Sequence, residues 1–192
     1  MPVGAIIAIV VIAILLILIA FVWGTYNGLV KVNERVNEAW SDITVQLKRR
    51  SDLIPNLVEV VKGYTKHESQ AIKDVSDARA KMMGARTVTD TAKADSSFTG
   101  ALSRLMAVTE SYPELKANQN FQQLTSEISD TEDKIQAARR FYNAGAKQLN
   151  IKVKLFPSNL INNLFLHFKT RDYYEVAEDE KAKIENAPEV KF

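Results

Sequence analysis

The stretch YNGLVKVNERVNEAWSDITVQLKRRSDLIPNLVEVVKGYTKHE, from Tyr26 to Glu68, determines the fold because its apolar residues recur with helical spacing. They are Leu29, Val32, Val36, Trp40, Ile43, Leu47, Ile54, Leu57 and Val61. Steps of three and four residues place most of them on one face of a long amphipathic helix. Pro55 interrupts the pattern, since proline lacks the amide hydrogen that a helix interior uses, and Asp52 could cap a restarted helix. A kinked helix and a restarted helix both remain open at this stage.

An uncharged apolar segment precedes this stretch, from Ala5 to Trp23. Its 19 residues would extend about 28 Å as a helix, close to the hydrocarbon thickness of a bilayer. Trp23 and Tyr26 lie where aromatic side chains meet a membrane interface. The leader MPVG has no basic residue and no cleavage site follows the segment, so we predict a membrane anchor rather than a signal peptide.

The charges that flank this segment favour one orientation. Lys31 and Arg35 follow it, whereas no basic side chain precedes it. Under the positive-inside rule this favours a cytoplasmic domain. Because the segment from Ala5 to Trp23 is predicted to be a membrane anchor, the lipid bilayer is the first predicted partner.

Composition excludes several classes of site. The chain has no cysteine, which rules out disulfides, thiolate metal sites and cysteine nucleophiles. Its net charge of +2 is too small to indicate a nucleic-acid partner.

The second half of the chain is also helical in pattern. Small and polar residues from Met83 to Ser97 predict a loop or a frayed helix end, and a helix is expected from Phe98 to Ser111, before Pro113. A heptad repeat then predicts a long helix that packs as in a coiled coil and ends at Pro157. Its members are Phe121, Ile128, Ile135, Tyr142, Leu149 and Phe156. Gly145, in the companion seam, would let another helix approach closely.

These patterns together predict an all-α fold, in which an N-terminal transmembrane helix is followed by an elongated antiparallel bundle of about four long helices. The predicted domains are an anchor at 1–25, a helical bundle at 26–168 and a polar, acidic C-terminal tail at 169–192.

Three blocks of sequence resemble the LemA family. The first is YNGLV with AWSDITVQLKRRSDLIPNLVEVVKGYTKHE, within Tyr26–Glu68. The second is ESYPELKANQNF followed by TEDKIQAARRFYN, and the third is FPSNLI at Phe156–Ile161. Beyond Ile161 the sequence NNLFLHFKTRDYYE departs from the family pattern. The resemblance implies a single-pass protein of the bacterial inner membrane with a helical-bundle domain. It also implies envelope biology, including relatives in magnetosome formation, and brings no established enzymatic activity or cofactor.

No motif for catalysis or for a metal or cofactor site stands out. His67 and His167 are a hundred residues apart, and no E-x-x-H, P-loop or Rossmann fingerprint occurs. We therefore predict no enzyme, no catalytic residue, no metal and no cofactor.

Polar residues near the Pro55 region form a candidate interaction surface: Lys48, Arg49, Arg50, Asn56, His67 and Glu68. The competing interpretation is that Lys48 to Arg50 form intramolecular ion pairs with acidic residues of the heptad helix, such as Glu127 or Asp130. Structural roles are predicted for Trp40, Pro55, Tyr64, Tyr112, Pro113 and Pro157 in addition to the six heptad residues.

The function predicted from these features is that of a non-enzymatic, membrane-anchored scaffold. It self-associates and organises the bacterial envelope or membrane, with membrane shaping as an extension. The alternative is an accessory partner of a membrane protease or signalling enzyme. A homo-oligomer is expected, and other membrane or envelope proteins are further candidate partners.

Overall fold

The computed structural model describes residues 3–65 and 68–175, and these residues form helices and no strand. The helices are α1 (Val3–Tyr64), α2 (Ser69–Gly84), α3 (Val88–Thr109), α4 (Pro113–Ala117), α5 (Gln119–Lys154) and α6 (Ser158–Ile161), followed by a π-helical turn (Asn162–Leu166). The predicted all-α fold, with a long apolar helix at the N-terminus, is confirmed.

Helix α1 runs without interruption through Pro55. The helix therefore does not restart there, and Asp52 is not a cap. Its carboxylate instead pairs with Lys48 one turn earlier, with 3.1 Å between Nζ and Oδ2.

Among the described helices, only α1 contains a stretch that is long and apolar enough to cross a membrane, and this stretch lies near its N-terminus. It contains the whole of the predicted segment from Ala5 to Trp23. None of its most apolar stretch is buried within the protein, so these side chains have no protein core to occupy. This exposure indicates a membrane protein, because the core helix of a soluble protein would be mostly buried.

The described residues divide into two compact units. Unit 1 lies within residues 1–39 and 141–171, and unit 2 within residues 40–140 and 172–192. The domain boundaries expected from the sequence, after residues 25 and 168, stay predictions.

Within unit 1, α1 and α5 run antiparallel. The side chain of Lys152 approaches Gly28, and the side chain of Val36 approaches Gly145. A Cβ atom at Gly145 would lie 3.1 Å from Val36 Cγ2, so the glycine of the heptad seam is where the two helices come close. This contact agrees with the role expected for Gly145.

Within unit 2, α2 and α3 pack against each other. There α1 and α5 are again antiparallel neighbours, because Arg50 pairs with Glu132 and the later Val60 lies near the earlier Asn120. Leu53 and Val60 of α1 line a shallow groove with Asn120 and Glu127 of α5. The α5 helix begins after Asn118, whose Oδ1 accepts a hydrogen bond from Phe121 N at 3.1 Å. Asn118 is therefore the cap of this helix.

The predicted loop from Met83 to Ser97 is wrong, because α3 already begins at Val88. Thr87 caps it, since its side chain accepts a hydrogen bond from Asp90 N at 3.0 Å. The inward positions of the first turns carry Thr91, Ala92 and Asp95, which are buried although two of them are polar. The apolar period is missing there because a buried ion pair takes the place of apolar contacts.

We expect Gly145→Leu to destabilise the protein by about 1–3 kcal/mol, because added carbon atoms would press on Val36 across the tight α1–α5 contact. Thermal unfolding of full-length protein in mild detergent, followed by circular dichroism, measures this loss.

The matched control is Gly63→Ala in α1, where a Cβ atom would meet nothing within 4 Å. This variant should gain about 0.5–1 kcal/mol from helix propensity. A stability of Gly145→Leu equal to that of the wild type would show that the glycine is not needed for helix approach.

A buried charge network as the candidate functional site

The candidate interaction surface is divided by the structure. Lys48, Arg49 and Asn56 are exposed, and Glu68 is half-buried. His67 lies outside the described residues. Arg50 is only 1% exposed, so it belongs to the interior of unit 2 and not to an outer surface. The physical reason is that Arg50 pairs with acidic groups of two other helices. Its assignment to the candidate interaction surface is therefore wrong.

The Arg50 guanidinium is held by partners on α3 and α5. It forms ion pairs with Asp95 of α3 and with Glu132 of α5. Its Nη1 also lies 3.4 Å from Thr99 Oγ1, and its carbon centre stands 4.9 Å from the centroid of the Phe98 ring. A planar cation with several donors suits such a site, because it can serve two carboxylates and stack on a ring at once.

Asp95 is the centre of this network and is fully buried. Arg139 of α5 pairs with its Oδ2, so two guanidinium groups flank one carboxylate. The Tyr174 hydroxyl donates a hydrogen bond to the same Oδ2 at 2.6 Å. A buried carboxylate without such partners would cost several kcal/mol, and these three partners offset that cost.

The C-terminal segment closes the network. Tyr174 is 6% exposed, and its ring lies 4.8 Å below the guanidinium carbon of Arg139 and 6.5 Å from the Trp40 ring. The sequence assigned this tyrosine to a polar tail, yet its ring is part of the core of unit 2. The remainder of the predicted tail, 176–192, lies outside the described residues.

Burial dominates the electrostatics of the network. Desolvation lowers the pKa of Arg50 from its usual range, although the Glu132 carboxylate opposes this shift. Desolvation also raises the pKa of Tyr174 above 10.0, although Arg139 opposes it. The raised pKa keeps Tyr174 neutral near neutral pH. Arg50 keeps its charge in spite of its lowered pKa, because a guanidinium is effectively always protonated in proteins.

The exposed acidic face of α5 behaves differently. A hydrogen bond from Lys134 lowers the pKa of Asp130, and the charges of Lys134 and Arg49 act in the same direction. Lys134 Nζ lies 2.7 Å from Asp130 Oδ2. Arg49 and Arg50 thus both interact with acidic groups of α5, as the intramolecular ion-pair interpretation expected.

The network can hold helices together, but its position does not suit turnover of a substrate. Arg50 and Asp95 are enclosed, so a substrate would reach them only if unit 2 opened. Among residues 3–65 and 68–175, no cluster of histidine, aspartate and glutamate side chains is suited to hold a metal ion.

The other residues with a predicted structural role include the six heptad residues and two prolines near helix starts. Five heptad residues are buried, namely Phe121, Ile128, Ile135, Tyr142 and Leu149. Phe156 is 71% exposed because α5 already ends at Lys154, so its placement in the seam is wrong. Pro113 begins α4, and Pro157 directly precedes α6.

The predicted tyrosines and tryptophan have partners in the structure. Tyr112 donates a hydrogen bond to Glu68 Oε1 at 3.1 Å, and burial and this bond raise the pKa of Tyr112. The Tyr64 hydroxyl accepts a hydrogen bond from Asn118 Nδ2 at 2.9 Å, although the ring is exposed.

Asp95, Arg139 and Tyr174 were not identified as functional or core residues from the sequence. A signal existed for part of the network, because Arg50, Glu132 and Arg139 fall within the blocks that resemble the LemA family. Asp95 lies outside those blocks in a polar stretch, and Tyr174 lies beyond the last of them.

We expect Asp95→Asn to destabilise unit 2 by about 3–5 kcal/mol, because the buried Arg50 and the half-buried Arg139 lose their shared anion. Chemical unfolding of full-length protein in mild detergent, followed by tryptophan fluorescence and circular dichroism, measures the change. Asp52→Asn is the control, since it removes an exposed ion pair with Lys48 that should contribute no more than about 1 kcal/mol. Similar small losses in both variants would contradict a central role for Asp95.

We expect stability to fall at high pH through Tyr174. Its pKa is raised in the folded state, so the unfolded chain loses the phenolic proton more readily. The contribution of Tyr174 is complete below its ordinary pKa of 10.0 and is lost as the pH rises through the raised value.

Tyr174→Phe removes both this titration and the hydrogen bond to Asp95, which should contribute about 1.5–3 kcal/mol. Unfolding free energies measured from about pH 8 to about pH 11 should show the advantage of the wild type shrinking with pH. An advantage that stays constant over this range would contradict the assignment.

Comparison with known proteins places this chain among bacterial relatives. The family model described as LemA family matches residues 39–192. Magnetosome protein MamQ 2 of Paramagnetospirillum magneticum is 26% identical, over 90% of this chain and 73% of the relative. Magnetosome protein MamQ of Magnetospirillum gryphiswaldense is 25% identical, over 78% of this chain and 64% of the relative.

A third relative, Protein LemA of Metamycoplasma hominis, is 28% identical over 84% of this chain and 72% of the relative. None of these relatives is named as an enzyme. The family match covers most of the chain and includes every residue of the buried charge network. The chain therefore belongs to the LemA family.

Proposed function

We propose that this protein is a membrane-anchored, non-enzymatic scaffold that self-associates and organises the bacterial cell envelope. The main support for this proposal is that charged groups lie in the interior, whereas large apolar side chains lie on the exterior. The charged groups best placed for chemistry are enclosed in a network that holds helices, whereas large apolar side chains face outwards. Such a molecule offers surfaces for lipid and protein rather than a reaction centre.

An exposed stripe on α5 in unit 1 is our candidate for self-association. Phe141 is 73% exposed, and Ala144, Gln148 and Ile151 follow it at helical spacing on the same outer face. A phenylalanine this exposed on a regular helix is unusual, and a second copy of the chain could cover it. The anchor supports this occupant, because confinement to a membrane raises the effective concentration of like molecules.

The relatives support a role in building a cellular structure. Three of the similar proteins are named as magnetosome proteins, and a scaffold that assembles through many copies could also shape a membrane. We include membrane shaping as an extension of the proposal.

Crosslinking tests self-association. Because the chain has no cysteine of its own, an introduced cysteine is the only thiol in the chain that can react. We expect Phe141→Cys, treated with a short bis-maleimide in native membranes, to give an adduct at twice the 21.5 kDa mass of the chain. The control is Lys147→Cys, an exposed position on the same helix about 120° around the axis from Phe141, which should give much less of this adduct.

An adduct of Phe141→Cys with a mass that fits one chain joined to a different protein would instead support an accessory of a membrane enzyme. No adduct, together with a monomer mass in light scattering of full-length protein, would contradict the scaffold.

We further propose that the soluble part lies on the cytoplasmic side of the inner membrane. Lys31 and Arg35 support this, and Lys152 adds a third basic group beside Gly28 in unit 1.

Ser97 is exposed in α3, so Ser97→Cys provides a reporter for this orientation. It should resist a membrane-impermeant maleimide in intact cells and react after permeabilisation. Equal labelling in intact and permeabilised cells would place the domain outside.

A further inference from the structure

The connection that follows α5 in unit 1 exposes an unusual amount of apolar surface. We call residues 155–166, which contain α6 and the π-helical turn, the apolar turn. Five of its large side chains are exposed: Leu155, Phe156, Leu160, Leu164 and Phe165. Leu164, at 72%, is nearly as exposed as Val3 at 74% at the start of the apolar helix. Scattered exposed leucines are ordinary, but five within eleven residues form a patch.

The backbone of the apolar turn is tightly held, so the exposure is built into the fold. Asn162 is 2% exposed. Its side-chain Nδ2 donates a hydrogen bond to Phe168 O at 3.1 Å, and its Oδ1 accepts one from Phe168 N at 3.0 Å. His167 N donates to Asn162 O at 2.7 Å, and the Ser158 hydroxyl donates to Lys152 O at 2.6 Å. These bonds satisfy backbone groups that would otherwise be costly to bring into an apolar medium.

The apolar turn lies beside the end of the anchor. Phe165 lines one apolar groove with Leu18, Ile19, Val22, Trp23 and Tyr26 of α1. Trp23 and Tyr26 are the residues expected at the membrane interface. Leu18 precedes Trp23 by five residues, or about 7.5 Å along a helix, so the groove reaches below that interface into the apolar part of the anchor.

The charges around the apolar turn complement lipid headgroups. From Ile151 to Arg171 the chain has four basic residues, Lys152, Lys154, Lys169 and Arg171, and no acidic one. The whole chain, by comparison, is nearly balanced, with 25 basic and 23 acidic residues. Basic residues beside apolar and aromatic side chains are the usual composition of a segment that lies in a membrane interface.

The returning chain keeps this arrangement in place. Arg171 N donates to Asn150 Oδ1 at 2.7 Å, and Asn150 Nδ2 donates to Arg171 O at 2.9 Å. The Arg171 guanidinium also donates to Asn33 Oδ1 and Asn37 Oδ1 of α1, each at 3.0 Å. The apolar turn is thus clamped between α5 and α1 within unit 1.

We infer that the apolar turn inserts into the lipid interface beside the anchor and gives the protein a second contact with the same membrane. This inference rests on the proposed membrane insertion of the anchor. Two attachments would fix the direction in which unit 1 leaves the membrane, because a single helix alone can tilt and rotate. The expected lipid is anionic, since the flanking charges are basic.

The experiment uses full-length protein with one cysteine at a time, each carrying an NBD fluorophore. The vesicles contain phosphatidylglycerol and phosphatidylcholine, and nitroxide lipids labelled at carbon 5 or carbon 12 quench the fluorophore according to depth. Leu164→Cys reports the apolar turn, and Ile17→Cys, in the exposed middle of the anchor, reports membrane insertion itself. Lys147→Cys is the control on the exposed surface of α5.

We expect both nitroxide lipids to quench Ile17→Cys, and the shallow nitroxide to quench Leu164→Cys at least about twofold more than Lys147→Cys. Quenching at Ile17 with Leu164 at the level of the control would overturn the second contact and leave the anchor intact. No quenching at Ile17 would show instead that the proposed insertion of the anchor fails.

A blue-shifted emission at Leu164 without lipid quenching would show that protein covers the apolar turn, which also overturns the inference. Leu160→Cys repeats the measurement at a second exposed position, so that one badly folded variant does not decide the outcome.

Discussion

The fully buried carboxylate of Asp95 is the constraint on which the interior of unit 2 depends. A charge without water requires opposite charges and hydrogen-bond donors, and here they come from three separate parts of the chain. Arg50 arrives from α1, Arg139 from α5 and Tyr174 from the C-terminal segment. We interpret the network as a device that fixes the register of these elements, because a shift by one helical turn would leave a buried charge unpaired.

The distribution of polar and apolar groups is partly inverted with respect to an ordinary soluble protein. Unit 2 encloses Arg50 and Asp95, which are among the residue types rarely buried unless paired. Unit 1 exposes the apolar helix and the large side chains of the apolar turn. Each departure has a physical reason, since the buried charges satisfy one another and the exposed apolar groups suit lipid.

Periodic apolar patterns gave the long helices, whereas polar groups in the interior were harder to foresee. The heptad positions from Phe121 to Leu149 are buried, because apolar spacing reports directly which face is covered. Asp95 was hidden in a polar stretch, although Thr87 and Asp90 could have indicated the start of a helix there. Phe156 keeps the seven-residue spacing beyond the end of its helix, where spacing no longer determines burial.

The placement of Tyr174 has a consequence for how the protein is made. A ribosome delivers the chain from the N-terminus, so the apolar segment of α1 emerges before the residues of unit 2. Unit 2, however, combines residues from 40–140 with residues that follow 171. Tyr174 of its core therefore appears only after α1 to α5 have been translated. The helices of unit 2 must therefore wait for a residue that follows α5 in the chain before their interior is complete.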